Sequence, residues 1–190
     1  MPQYTELDIV SGCKKNKRVF QEALYKKYYS LFMNVCMRYA MCVEDAEQLL
    51  QDGFLKIFNH IQHYKGVGSF EGWMRRIMVN NCLDYLRSKD TRNKMNTAHQ
   101  DIAENNTLSI EAHVLQAMEY KELLNIIHTL PVTTKTVLNL YVFEGMPHKE
   151  IAQLLQISEG TSCWHMHQAR KLLQEKITLH KTGKVVYEHK

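Results

Sequence analysis

Apolar positions recur at helical spacing along most of the chain. From Val19 onward, Phe20, Leu24, Tyr28, Leu31, Val35 and Tyr39 share one face, which predicts a first long helix. Across VEDAEQLLQDGFLKIFNHI, the residues Ala46, Leu49, Leu50, Phe54, Ile57, Phe58 and Ile61 point inward together. Glu44 and Asp45 fall in its first turn, where they complement the helix dipole. A glycine-containing loop, HYKGVGSF, precedes another helical stretch, EGWMRRIMVNNCLDYLRSK. Its apolar surface is Phe70, Trp73, Met74, Ile77, Cys82 and Leu86, and Arg76, Asn80, Asp84 and Arg87 form a polar stripe. VLQAMEYKELLNIIHTL and TTKTVLNLYVFEG, separated by Pro131, continue the pattern. Strand-like alternation is scarce, so the predicted class is all-α.

The exceptions set the boundaries. Residues 1–18 read as a polar lead-in with a short helix around Glu6–Ser11, and Lys14, Lys15, Lys17 and Arg18 read as solvated charge, with phosphate contact the less common meaning. Residues 89–111 are polar, asparagine-rich and nearly free of large apolar side chains, which marks a linker. Two small helical domains are therefore expected, over 19–88 and 112–177, with a tail over 178–190. No internal repeat of fixed period is present.

The most informative stretch is GMPHKEIAQLLQISEGTSCWHMHQARKLL, which reads as two short helices around a tight turn. Pro147 suits the first turn of the first helix, and Ile151, Leu154 and Leu155 form its apolar stripe. Ala152 is small enough for a second helix to cross closely, and Ile157 faces the core from the turn. Ser158 can cap the next helix, with Glu159 in its first turn. That helix has an inner stripe of Met166, Ala169, Leu172 and Leu173, and an outer face of Cys163, Trp164, His167, Arg170 and Lys171. A small alanine, a capped turn and a polar outer face favour a DNA-binding helix-turn-helix over an ordinary helical hairpin.

Composition narrows the function classes. A hydrophobic content of 45% supports one or two cores, and 3 prolines and 8 glycines suit long helices. The net charge of +4 permits nucleic-acid binding without requiring it. Five cysteines (Cys13, Cys36, Cys42, Cys82 and Cys163) make no C-x-x-C pair, and the N-terminus lacks the apolar core of a secretory signal. With no run of transmembrane length, the expectation is a soluble cytoplasmic protein with free thiols and no membrane insertion.

No H-E-x-x-H, nucleophile motif or phosphate loop appears, so an enzyme is not expected and no cofactor is assigned. Ten histidines raise a metal-dependent enzyme or sensor as a third reading. Cys163 and His167 lie four apart on one face, but two ligands do not make a structural zinc site, so no metal is assigned. Asp45, Gln48, Gln51, Asp52 and Lys56 line the outer side of their helix. A solvated face is the commoner meaning of such a stripe; in a basic chain it also suits docking of a basic partner. Aromatic residues beside arginines and asparagines in the next helix suit single-stranded nucleic acid, although Trp73 reads more readily as a core anchor.

In order, these stretches resemble bacterial RNA polymerase sigma factors of the extracytoplasmic-function (ECF) group. The resemblance runs from about Val19 to Ile177. EDAEQLLQDGFLKIF is similar to the helix that binds core polymerase, and GSFEGWMRRIMVNNCLDYLR to the segment that melts and reads the promoter −10 element. LPVTTKTVLNLYVFEGMPHKEIAQLLQISEGTSCWHMHQARKLL resembles the region that binds the −35 element. It implies that Asp45, Gln48, Gln51 and Asp52 face the β′ clamp helices of core RNA polymerase. Tyr64, Phe70 and Asn80 would take a base flipped from the non-template strand, with Arg76 and Arg87 on its backbone. Ser88–Glu111 would thread toward the active-site cleft and RNA exit path.

Ser158, Thr161, Cys163, Trp164, His167, Arg170 and Lys171 would lie at the −35 major groove. Where relatives commonly carry lysine, serine or arginine, this helix has Cys163, Trp164, His165 and Gln168. The implied partners are core polymerase (β′ clamp helices and β flap), promoter DNA and an anti-sigma factor. The competing reading is a free-standing helix-turn-helix regulator whose first domain senses a ligand or dimerises.

Overall fold

The computed structural model describes residues 4–95 and 114–187, and among these it contains helices and turns but no strand. The chain divides into two compact units, Met1–Ile102 and Ala103–Lys190.

The first unit begins with α1 (Glu6–Lys14), three residues longer than the short helix expected around Glu6–Ser11 within a polar lead-in. Thr5 and Asp8 form a capping box, each side chain bonded to the other's backbone N–H at 3.2 and 3.1 Å. Ile9, Gly12 and Cys13 are buried against α2 (Arg18–Met37), and Lys14 is half-buried rather than solvated. The short apolar stripe escaped the periodicity because two of its three members are Gly and Cys. Asn16, at φ +54, turns the chain from α1 into α2.

Helix α2 buries Leu24, Tyr28, Phe32, Val35 and Cys36 against α3 (Val43–His60) and α4 (Phe70–Met95). Helices α3 and α4 pack closely because Gly53 leaves room for Met78: a Cβ on Gly53 would lie 2.3 Å from the sulfur. Buried Asn81 donates its side-chain amide to the Leu49 carbonyl at 2.9 Å, which fixes the register of the two helices. Met74, Met78, Val79, Cys82 and Leu83 complete the inner face of α4. The helix runs to Met95, past the expected end near Ser88, so the first residues of the expected linker are helical. The remainder of that linker, 96–111, lies outside the described residues, as do 112 and 113 of the expected second domain.

The second unit contains α5 (Val114–His128), α6 (Val132–Leu138), α7 (His148–Leu155) and α8 (Glu159–Tyr187). Pro131 separates α5 from α6. A five-residue π-helical turn, Asn139–Phe143, continues directly from α6. Pro147 sits at the N-cap of α7, one position before the first turn expected for it. Gln156 ends α7 in the left-handed conformation at φ +55, a cost carried by a non-glycine residue. The expected C-terminal tail is helical to Tyr187, and the last three residues lie outside the described range.

Lys135 is 2% exposed, with Nζ 3.4 Å from the Nδ1 of His128, and burial pushes its ammonium pKa below the usual lysine range.

This packing has two measurable outcomes. A Cβ at Gly12 would lie 2.1 Å from the Phe20 ring, so Gly12→Ala should destabilise the first unit by about 1–3 kcal/mol despite alanine's better helix propensity. Urea unfolding monitored by Trp73 fluorescence in a Trp164→Phe background measures this. Lys135→Met should stabilise the second unit by about 1–3 kcal/mol at neutral pH. Below the depressed folded pKa the lysine is charged in both states and the burial cost is complete. As pH rises from there to the unfolded value near 10.5, the folded protein gains stability relative to the unfolded chain, and the mutant's advantage fades. Unfolding curves of both proteins across that window, read from Trp164, give the sign.

Candidate polymerase and nucleic-acid surfaces

Three faces carry the chemistry, two on the first unit and one on the second. The first lies along α3 and α4, where Asp45, Gln48, Asp52, Asn81, Asp84 and Tyr85 border a cavity of about 330 Å³. Antiparallel packing brings Asp45 opposite Tyr85, whose hydroxyl donates to Oδ2 at 2.5 Å. Gln48 donates its side-chain amide to Asp52 at 3.0 Å, one helical turn away. Gln48 and Gln51 are exposed, whereas Asp45 and Asp52 are half-buried. Lys56 reaches across to Asp84 at 3.3 Å, so its charge turns toward α4 and leaves the acidic groups at the N-terminal end of the face. The rim can therefore accept a cation or several hydrogen-bond donors from outside.

The second face is the outer side of α4 with the loop before it. Ser69 caps α4 by accepting from the Gly72 N–H at 3.2 Å. Gly66 and Gly68 adopt φ +74 and +77, conformations that side-chain-bearing residues rarely take. Tyr64 closes the loop: its hydroxyl donates to the Gly68 carbonyl at 3.0 Å, and its ring lies 5.0 Å from Phe70 and 5.3 Å from Trp73. Phe70 is only 1% exposed, so it supports the other two rings from beneath and offers no surface of its own, contrary to its expected DNA contact. Tyr64 and Trp73 are half-buried and provide the accessible ring edges.

Arg76, Asn80 and Arg87 are exposed and recur on the same side of α4 as Trp73. Arg87 lies 3.4 Å from Asp84, an exposed pair of little energetic weight that a phosphate could displace. Asn80 belongs to this outer face, whereas its neighbour Asn81 is the buried register pin.

The third face is the exposed side of α8. Ser158 Oγ accepts from the Thr161 N–H at 3.0 Å and exchanges a hydrogen bond with the Thr161 hydroxyl at 2.7 Å, so both residues cap the helix before they can meet anything else. Cys163, Trp164, His167, Arg170 and Lys171 are exposed, and Met166 and Ala169 are buried beneath them. Trp164 is 55% exposed, its ring edge-on to His165 at 4.9 Å.

Polar contacts that the sequence did not reveal hold this helix in place. Fully buried Ser162 meets His148 Nδ1 at 2.9 Å, tying α8 to the start of α7, and the His148 ring stacks on Tyr141 at 4.4 Å. His165 Nδ1 meets the Thr134 hydroxyl at 3.0 Å, and burial pushes its pKa down, which favours the neutral ring. Among the described residues, no group of three or more His, Cys, Asp or Glu is arranged to hold a metal ion, and no helix is long and apolar enough to cross a membrane.

Residues 24–92 match the family model for sigma-70 region 2, and residues 120–173 match that for sigma-70 region 4. The chain is 24% identical to the ECF RNA polymerase sigma-E factor of Haemophilus influenzae, over 92% of this chain and 96% of that protein. It is also 24% identical to the RNA polymerase sigma-H factor of Pseudomonas aeruginosa, over 84% and 86% of the two chains. Among solved structures, the fold is similar to the sigma factor RpoE of Bartonella quintana, in complex with the anti-sigma factor NepR. That likeness has a TM-score of 0.54 at 15% identity, covering 81% of this chain and 96% of the other. Both sigma regions are thus present in order, one in each compact unit, and relatives align along nearly the whole length: the chain belongs to the ECF group of sigma-70 family sigma factors.

Proposed function

We propose that this sigma factor docks core RNA polymerase through the α3–α4 acidic face, opens and reads a −10 element with the loop and outer face of α4, and places α8 in the −35 major groove. The observation that carries the reading is the division of chemistry between the two units. The region 2 unit pairs an acidic face with a separate aromatic and arginine-bearing face, and the region 4 unit exposes the second helix of a helix-turn-helix.

The labour divides along physical lines. A basic clamp helix would lay its cations along Asp45, Gln48, Gln51 and Asp52, with the cavity admitting a long side chain. Extruding a base costs a few kcal/mol, which stacking beside Tyr64 and Trp73 and a hydrogen bond from Asn80 offset. Arg76 and Arg87 would hold the single-stranded backbone, and Arg170 and Lys171 the phosphates flanking the −35 groove. The stretch 96–113 would connect the units through the polymerase cleft. Similar folds occur in complexes with anti-sigma proteins, and we extend that class of partner to this chain, with exposed Trp164 as a contact.

Two measurements test the reading. Asp52→Lys leaves the core untouched and should weaken binding to core polymerase at least about tenfold, since a like charge then meets a basic surface. Unchanged core affinity in the folded variant would remove docking from this face. On α8, Trp164→Ala should weaken binding to a −35 duplex about tenfold without changing the salt dependence, because an apolar contact with a base is lost. Arg170→Ala should instead lower the slope of log affinity against log salt by about one. Duplex titrations at several salt concentrations separate the two; an unaffected Trp164→Ala variant would leave Trp164 to a protein partner.

A further inference from the structure

Helix α1 precedes the region 2 match, which begins at residue 24, yet its last residue reaches the loop before α4. Lys14 Nζ donates to the Tyr64 carbonyl at 2.7 Å, across 50 residues of sequence. The contact is returned, since the Gln62 side-chain amide donates to the Lys14 carbonyl. Both partners are anchored. Ile9, Gly12 and Cys13 seat α1 on the core with Gly12 against Phe20, and Gln62 belongs to a short 3-10 turn, Ile61–His63, that continues α3.

Tyr64 is the loop's own closing residue, through its hydroxyl to Gly68 and its ring against Phe70 and Trp73. The rest of the loop has little to hold it. Gly66 and Gly68 have open space where a Cβ would sit, and Val67 is 85% exposed. Glycine gives such a segment many alternatives to its observed shape, so contacts from outside must select it. Lys14 supplies one, and it acts on the backbone of the residue whose side chain sets the position of the rings.

We propose that Lys14 is a positioning residue for single-base recognition: by holding the Tyr64 carbonyl, it keeps the Tyr64–Ser69 loop and the Tyr64 ring in the shape that selects the captured base. This rests on the reading of that loop as the −10 site. Lys14 touches no DNA in this role. Its effect is confined to selectivity at one base, because docking to polymerase and the α4 arginines do not depend on the loop.

The test uses the full chain assembled with bacterial core polymerase and single-stranded oligonucleotides randomised over a short window, with bound sequences read out by position. Lys14→Met keeps the aliphatic stem and should flatten selectivity at one position about fivefold, while core affinity and the remaining positions are retained. Lys14→Arg should restore it to within about twofold of wild type, because a donor again reaches the carbonyl. Backbone amides of residues 64–69 should exchange faster in Lys14→Met, with α2 and α4 unchanged. Asn80→Ala separates the two levels of failure. If it leaves every position as selective as before, the loop is not the base-reading site and the proposal falls with that reading. If Asn80→Ala flattens a position and Lys14→Met does not, the site stands and the role of Lys14 is overturned. A loss in Lys14→Met spread over all positions and core affinity together would make Lys14 a folding residue and overturn it equally.

Discussion

The crossing of α4 over α3 is the constraint on which the first unit depends. Gly53 lets the helices approach, Met78 fills the space its missing side chain leaves, and Asn81 locks the register by bonding the Leu49 carbonyl at 2.9 Å. A rotation of α4 by one residue would turn Asn81 outward, forfeit that bond and bring Asn80 into the core without a partner. The same rotation would separate Tyr85 from Asp45 and turn Trp73, with Arg76, away from the Tyr64 ring. One buried amide thus sets the phase of two surfaces of different chemistry, and Asp84, paired to Lys56 and Arg87, lies where they meet.

The second unit is positioned differently. Its helices α6 and α7 are short, and part-buried polar pairs supply directionality that a few aliphatic contacts cannot. Ser162 and His148 join α8 to α7, and Thr134 and His165 join α8 to α6. His165 also lies against the exposed Trp164 ring at 4.9 Å, so the outer face inherits its orientation from hydroxyls and imidazoles.

Long amphipathic helices were legible because their stripes are broad: Leu49, Leu50, Phe54 and Ile57 define which side of α3 is buried. The helix-turn-helix was legible for the same reason, aided by the Ser158 cap. The full seating of α1 was not, because Gly12 and Cys13 bury little apolar area and Lys14 hides its role in a charge run. Phe70 was placed at the DNA surface because a ring in a loop-to-helix junction has the same sequence signature whether it stacks on a base or supports the rings that do. Ser162 and Asn81 were unreadable as anchors, since a polar residue inside a helix announces nothing about a partner 14 or 32 residues away. The ends of α4 and α8 extend beyond their apolar stripes, where residues such as Thr91, Asn93 and Gly183 give the sequence no helix signal.

The π-helical turn at Asn139–Phe143 is an α-helix with one residue too many, and it carries the Tyr141 ring that stacks on His148. Its geometry is that of an insertion: each added residue advances the angular phase of the downstream side chains by about 100°. An alignment that runs this stretch without a gap against a relative with a plain α-helical turn would assign the wrong neighbour to each side chain across the bulge. Length, as well as residue identity, therefore fixes which side chains meet across this segment.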